Sequence, residues 1–302
     1  MSATHTATRV MDTRAIPWEL FPGLADSYMK PLVKDAAGEP MVMLRGMPAG
    51  KDVHAALPSM PYRHYHNSVY EHAFYLAGEL PHWDYPSAED GVGTMVLFQQ
   101  GYYLDGAPGP GGLHGIEAGP TSPVGGVAIT WRNGVGNYNL EPTFHEESIE
   151  VGYPADKASV ALVPAKPADD GSGIVYRSAS RTIIDTRAMS WQPHPEFADS
   201  RVKVLATDED GYPMTMLVWL ARGTSEALRT RPDRAGESLR ENIYVIAGEL
   251  PHPDGTGGLR MLPEGTFIDR PMVPAGSLED AAASPSTPIG ATVLVWRVDY
   301  LS

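Results

Sequence analysis

His64-Tyr65-His66-Asn67-Ser68-Val69-Tyr70-Glu71-His72-Ala73-Phe74-Tyr75-Leu76-Ala77-Gly78 holds polar residues whose spacing can be read against strand geometry. His64 and His66 are two apart, so on an extended strand both imidazoles project to one face, about 7 Å apart at the backbone. That is near enough to share one ion. Glu71 lies five positions beyond His66, an odd interval that would turn it the wrong way on an unbroken strand. A break is therefore needed. Asn67-Ser68 supplies turn chemistry, after which Glu71, Ala73, Tyr75 and Ala77 form one face of a new strand.

Further along, Asp105-Gly106-Ala107-Pro108-Gly109-Pro110-Gly111-Gly112 is a Gly/Pro-rich turn, and His114 follows it. Glycine there lets backbone pass close to a crowded site. The apolar segments around these residues are short and rich in β-branched or aromatic side chains: Ala73-Phe74-Tyr75-Leu76, Met95-Val96-Leu97-Phe98, Val127-Ala128-Ile129-Thr130-Trp131 and Thr292-Val293-Leu294-Val295-Trp296. With 31 Gly and 28 Pro as punctuation, many short strands at close spacing indicate an all-β sandwich or barrel. Few capped amphipathic segments exist, which disfavours α/β layering.

The chain also repeats itself. Asp12-Thr13-Arg14-Ala15, Trp18, Pro22 and Ala25-Asp26-Ser27 recur at a constant offset of 173 as Asp185-Thr186-Arg187-Ala188, Trp191, Pro195 and Ala198-Asp199-Ser200. Gly38, Pro40, Met41, Met43, Leu44 and Gly50 keep that register. Ala77-Gly78-Glu79-Leu80-Pro81-His82 returns as Ala247-Gly248-Glu249-Leu250-Pro251-His252, and Trp131-Arg132 as Trp296-Arg297. Each copy is too long for a solenoid repeat and reads as a whole domain. The expected domains are 1–165 and 174–302, joined by the polar stretch Lys166-Pro167-Ala168-Asp169-Asp170-Gly171-Ser172-Gly173.

His64-Tyr65-His66, four residues, Glu71, six residues and Gly78 resemble the first motif of the cupin family, and Gly111, two residues and His114 look like the second. The resemblance covers both halves and implies two tandem cupin barrels, the double-stranded β-helix or jelly-roll. It also implies one divalent ion held by His64, His66, Glu71 and His114. An all-N/O donor set suits Fe(II), Zn(II), Mn(II), Ni(II) or Cu(II). Four protein ligands leave one or two open positions, which in the iron and copper dioxygenases of the family receive substrate and O2. On that resemblance the leading reading is an Fe(II)-dependent dioxygenase acting on a small enolisable carbonyl compound or aromatic ketone. Glu71 would be ligand and candidate proton acceptor, and Tyr75, Gln99 and Gln100 candidate outer donors. The alternatives are a non-redox lyase, isomerase or hydrolase using Zn(II), Ni(II) or Mn(II), and a metal-binding small-molecule sensor. Tyr62, Tyr65, Tyr75, Trp83, Phe98, Tyr102 and Tyr103 lie near the motifs and would suit an aromatic or diketone substrate.

The second copy serves as an internal control. Glu71 maps to Glu241, but His64, His66 and His114 map to Arg234, Gly236 and Glu279, so that half is expected to bind no transition metal and to be structural. Arg229, Arg231 and Arg234 read as solvated arginines rather than an anion site. His82 and His252 share a Pro-His step and read as turn residues, and Trp131 and Trp296 read as core. His72 should face away from Glu71, and His5, His54, His145 and His194 lack ligand spacing.

Composition sets the outer limits. A chain of 302 residues accommodates two ordinary domains. A formal charge of -14 repels phosphate backbones and anionic membrane surfaces, so nucleic acid and membrane are not expected partners. Zero cysteines exclude disulfides and thiolate metal sites. The first residues have no apolar signal region, and no run of about 18 apolar residues occurs, so the expectation is a cytoplasmic protein. A small-molecule substrate and O2 are the expected partners. A homodimer is compatible with a barrel of this kind, though nothing in the chain demands it.

Overall fold

Strands form where β-branched and aromatic runs lie between glycine and proline. The computed structural model describes residues 8–21, 27–35, 38–50, 63–64, 70–84, 94–106, 114–115, 124–132, 161–162, 167–178, 181–195, 199–222, 239–253, 258–271 and 289–299. All regular structure among them is β, and no helix is long and apolar enough to cross a membrane. In chain order the strands are β1 (Arg9–Asp12), β2 (Glu19–Leu20), β3 (Tyr28–Lys34), β4 (Pro40–Met47), β5 (Arg63–His64), β6 (Glu71–Asp84) and β7 (Thr94–Gln99). Then come β8 (Tyr102–Gly106), β9 (His114–Gly115), β10 (Gly126–Arg132), β11 (Ala161–Leu162), β12 (Ile174–Arg177) and β13 (Arg181–Asp185). The last are β14 (Gln192–Pro193), β15 (Arg201–Thr207), β16 (Pro213–Leu220), β17 (Leu239–Pro253), β18 (Leu259–Pro263), β19 (Thr266–Pro271) and β20 (Ala291–Asp299).

The chain divides into two compact units, each a cupin-type jelly roll. The N-terminal unit is Pro17–Met189, and the C-terminal unit combines Ser190–Ser302 with Met1–Ile16. The main sheet of the N-terminal unit runs β12-β13-β8-β6-β10-β4-β3-β2, and that of the C-terminal unit β1-β19-β17-β20-β16-β15-β14. Boundaries at 165 and 174 would separate strands that pair. β13 lies on β8 with Ile183 opposite Leu104, and β1 lies on β19 with Val10 opposite Ile268. Residues 167–173, expected to form a linker, therefore belong with β12 and β13 in the N-terminal unit.

One corner shapes each unit. The fourteen-residue β6 pairs with β8 over Glu71–Phe74, with β10 from Glu71 to Gly78, and with β7 over Glu79–Asp84. β7 and β8 follow it as one antiparallel path broken only at Gln100-Gly101. Gly78 (φ +73) and Gly101 (φ +86) take left-handed backbone where the ladder turns, which a residue with a Cβ adopts only at a cost. A Cβ on Gly78 would also run into the carbonyl oxygen of Gly125, the same oxygen that accepts a hydrogen bond from the Glu79 amide at 2.8 Å. Gly248 in β17, Gly265 just before β19 and Gly290 just before β20 repeat the arrangement.

The repeated Asp-Thr-Arg-Ala segment clasps this corner. Thr186 donates from its hydroxyl (2.6 Å) and its amide (3.0 Å) to the Gly101 carbonyl. Thr13 donates to the Gly265 carbonyl at the same two distances. Arg187 is held by Asp185 and Arg14 by Asp12, each at 2.8 Å. Buried hydrogen bonds to a turn carbonyl satisfy a group that the ladder leaves unpaired.

Alternate residues fill each interior. Ala73, Tyr75, Val96, Phe98, Tyr102, Leu104, Ala128 and Ile183 form one apolar core, and Val202, Met216, Val218, Ile243, Val245 and Val293 belong to the other. Trp131 and Trp296 are buried as expected. His82 and His252 do not sit in turns. Both lie within strands, opposite Val96 and Arg260, because the long strand continues past its corner instead of ending there.

Gly78→Ala should destabilise the protein by more than Gly38→Ala. Gly38 also has positive φ but open space at its Cβ, so only the backbone penalty of roughly 1–2 kcal/mol applies there. Thermal unfolding of the two variants checks the order, and equal melting temperatures would contradict it.

Candidate metal centre

Four strands present a row of residues in register on the interior face. Arg181 on β13 is opposite Gly106 on β8, Gly106 is opposite Glu71 on β6, and Glu71 is opposite Arg132 on β10. Their positions share the parity of Ala73, Tyr75, Leu104, Ala128 and Ile183, the core residues of the same strands. Glu71, Arg132 and Arg181 are all buried. Arg132 Nη2 donates to Glu71 Oε1 at 2.9 Å, a charge-assisted bond across directly paired residues. Arg181 Nη2 comes within 3.9 Å of the place a Cβ on Gly106 would occupy.

The C-terminal unit carries the same carboxylate in a different setting. Glu241 on β17 is opposite Arg270 on β19 and Arg297 on β20. Arg270 donates to Oε1 from Nε (3.0 Å) and Nη2 (2.6 Å), and Arg297 Nε donates to Oε2 at 3.2 Å. Glu241 is therefore held from both of its paired strands. At the position matching Arg270, the N-terminal unit has Gly106.

Two of the expected ligands meet in the backbone. His64 on β5 is directly opposite His114 on β9, and His114 is also opposite Asp84 at the end of β6. Directly opposed residues of an antiparallel pair have Cα atoms about 4.5–5.5 Å apart. His66, the side chains of His64 and His114, and the counterparts Arg234, Gly236 and Glu279 lie outside the described residues, as do Arg229 and Arg231. Among the described residues no three His, Asp or Glu side chains form a cation site. Two adjacent histidine positions and a buried carboxylate in one unit suit a divalent ion on donor chemistry. The cysteine-free chain offers only nitrogen and oxygen donors.

The remaining candidates divide by strand parity. Tyr75 is buried in the interior with its ring stacked on Phe98 (centroids 4.4 Å apart), and Tyr102 meets Phe98 edge-on at 6.2 Å. Burial pushes the Tyr75 phenol well above its ordinary range, so it stays protonated. Gln99 and Gln100 do not line the interior. Val96 and Phe98 point inward on β7, which turns Gln99 outward, where its amide donates to Glu79 Oε1 and accepts from Arg187 Nη2, both at 3.2 Å. Gln100 is an exposed turn residue. Tyr103 and His72 lie on the opposite face of the sheet. There His72 Nδ1 is 3.0 Å from the Tyr103 hydroxyl and 3.3 Å from Asp105, and its ring stacks on Trp131 at 5.5 Å. Burial lowers the His72 pKa, against the pull of Asp105 and Glu71. Tyr62, Tyr65 and the side chain of Trp83 lie outside the described residues.

Sequence reading passed over Arg132, Gly106 and Arg181. The available signal was the Arg of the repeated Trp131-Arg132 and Trp296-Arg297 step, since an arginine retained in two buried strands implies a buried anion beside it.

No family model matches the chain. No curated protein matches it either. Among solved structures it is similar to a putative glyoxylate induced protein from Pseudomonas aeruginosa, with TM-score 0.53 and 12% identity over 99% of this chain and 91% of that one. It is also similar to Streptomyces albus HEPD, solved with 2-hydroxyethylphosphonate and Fe(II), with TM-score 0.52 and 15% identity over 98% and 77% of the two chains. A third is protein Ylba from E. coli, of family-model DUF861, with TM-score 0.50 and 8% identity over 98% and 91%. At such identities the likeness carries the fold, an all-β tandem cupin architecture.

Removing the Glu241 carboxylate as Glu241→Ala should cost about 3–5 kcal/mol, because it takes from Arg270 and Arg297 the buried carboxylate they share. Metal content should not change. Urea unfolding and elemental analysis of one preparation check both halves of this expectation.

Proposed function

We propose that the N-terminal unit is a metal-dependent oxygenase centre. It would hold one divalent ion, Fe(II), through His64, His66, Glu71 and His114, and act on a small enolisable carbonyl compound or aromatic ketone with O2. The observation behind this reading is the direct opposition of His64 and His114, in the unit whose glutamate is matched by glycine where its counterpart meets Arg270. Bound iron would supply the one-electron chemistry that O2 requires. The chain would supply the surroundings. Tyr75, Phe98 and Tyr102 give the interior aromatic walls that suit a planar, conjugated substrate. A Tyr75 phenol that stays protonated can donate to a substrate oxygen and does not serve as a base. A protein of similar fold, the Streptomyces albus enzyme, holds Fe(II) with its substrate, which supports iron as the first metal to test.

Protein purified without added metal should contain one ion per chain by elemental analysis. His64→Ala and His114→Ala should each lose it while keeping the circular dichroism of a folded β protein. The iron-loaded protein should consume O2 in the presence of β-diketones or hydroxyaryl ketones. Metal-dependent turnover without O2 uptake, supported by zinc, would reject the oxygenase and assign a lyase, isomerase or hydrolase in its place. Two ions per chain would reject the metal-free C-terminal unit.

A further inference from the structure

A position on the outer face of the sheet separates the two copies. Gly46 on β4 is opposite Tyr28 and Val127, and Trp219 on β16 is opposite Arg201 and Thr292, so the registers set glycine and tryptophan at the same point of the two units. Both face away from the interior, because their neighbours in the ladder, Ala128 in one unit and Val218 and Val293 in the other, belong to the cores.

Glycine at 46 goes with a hollow. The Trp18 indole lies over it, with Cη2 3.0 Å from where a Cβ would stand. Lys30 Nζ is 4.6 Å from the centre of that indole, as Lys203 Nζ is 4.3 Å from Trp191 in the other copy. Trp18, Tyr28, Gly46, Ala77, Val124 and Val127 line a pocket of 440 Å3, within the roughly 300–1,000 Å3 of pockets that receive organic groups. Among the described residues no carboxylate, ammonium or guanidinium lines it. The C-terminal unit instead projects an indole at this point. Trp219 is 38% exposed, and Ile289, the counterpart of Val124, is 68% exposed. Charge distinguishes the two surfaces in the same sense. Exposed Arg201 lies opposite Trp219 and exposed Arg222 follows it by three residues, whereas exposed Glu19 follows Trp18 at the pocket.

We propose that the chain self-associates by seating the Trp219 indole of one copy in the Gly46 pocket of a second copy. Each chain carries one projection and one hollow, so a two-fold pair uses both. Seating an indole against Trp18 and Tyr28 takes aromatic surface out of water on both sides of the contact, and tryptophan is enriched among the residues that carry such interfaces. The same docking brings Arg201 and Arg222 of one copy toward Glu19 of the other. The contact lies on the outer face of the sheet and does not depend on a metal.

Analytical ultracentrifugation of the full chain should show twice the mass of a single chain. Trp219→Ala should weaken the association about 30-fold or more, the loss expected for a central tryptophan. Gly46→Trp, which copies the other unit and fills the hollow, should weaken it to a like degree. Where Gly46→Trp does not fold, Ala49→Arg, which copies Arg222 at an exposed position of the pocket rim, serves in its place. A mixture of Trp219→Ala with Gly46→Trp restores one projection facing one hollow, so the mixed pair should form more tightly than either variant with itself. A wild-type protein that remains a single chain overturns the proposal, as does association indifferent to Trp219→Ala or untouched by the pocket variants. Saturable binding of free indole to a single chain, abolished by Gly46→Trp in calorimetry, overturns it too and assigns the pocket to a small aromatic molecule.

Discussion

A single strand that belongs to two sheets is the constraint from which each unit is built. Drawn straight, the fourteen residues of β6 would extend roughly 45 Å, and the partners of its two ends would have nothing to do with one another. The turn at Gly78, packed on the backbone of Gly125, lets the strand pair with β8 and β10 before the corner and with β7 and β9 after it. Two things follow from so close a backbone approach. The position tolerates no side chain, and the opposite path must turn at the same level, which Gly101 does. The carbonyl exposed at that second turn is then claimed by a threonine, Thr186 in one unit and Thr13 in the other. The duplicated Asp-Thr-Arg-Ala segment is thus part of the corner, and the clasp of each unit comes from the chain segment preceding the other copy.

The interior ion pair adds a second constraint, on register. Replacing a buried pair with apolar residues is often neutral or stabilising, so its presence in both copies is weak evidence for a stability role. What it secures is alignment. A one-residue slip of β10 against β6 would set Glu71 opposite Trp131, move Arg132 to the other face and leave two charges buried without each other. The same holds for Glu241, Arg297 and Trp296 in β17 and β20. Strands with apolar residues on both faces, such as Ala73-Phe74-Tyr75, give few other cues to phase, because either face could be the inner one.

Much of this was legible in the sequence, and the limits have physical causes. The all-β class, the duplication and the placing of His72 on the face away from Glu71 follow from strand periodicity and self-comparison, which are local or internal to the chain, while the turn expected at Asn67-Ser68 lies outside the described residues. The composition of the units is not local. Arg9-Val10-Met11-Asp12 reads as a strand, but nothing in four residues says that its partner lies more than 250 positions away. The outward side of Gln99 had a signal in the sequence, because next to the inward Phe98 a residue of opposite parity must face outward. Arg132 is 61 positions from Glu71, so its role emerges only with the register of β6 and β10. Arg181 lay beyond the expected end of the first domain, and its contribution to that interior could not be read until β13 was paired with β8.

The two copies differ where chemistry would be expected to differ and agree where the fold is made. Corner glycines, threonine clasp, buried tryptophan and Glu-Arg pair are common to both. The histidine positions and one arginine are not. Relocating that arginine from the strand beside the glutamate to the next strand out keeps a guanidinium in the same row while changing how the carboxylate is approached. In the C-terminal unit the charges close on one another, with both glutamate oxygens taken. In the N-terminal unit the change from arginine to glycine at position 106 and the pairing of His64 with His114 occur together. Their coincidence in one copy, against an otherwise shared architecture, is the contrast on which the proposed metal centre rests.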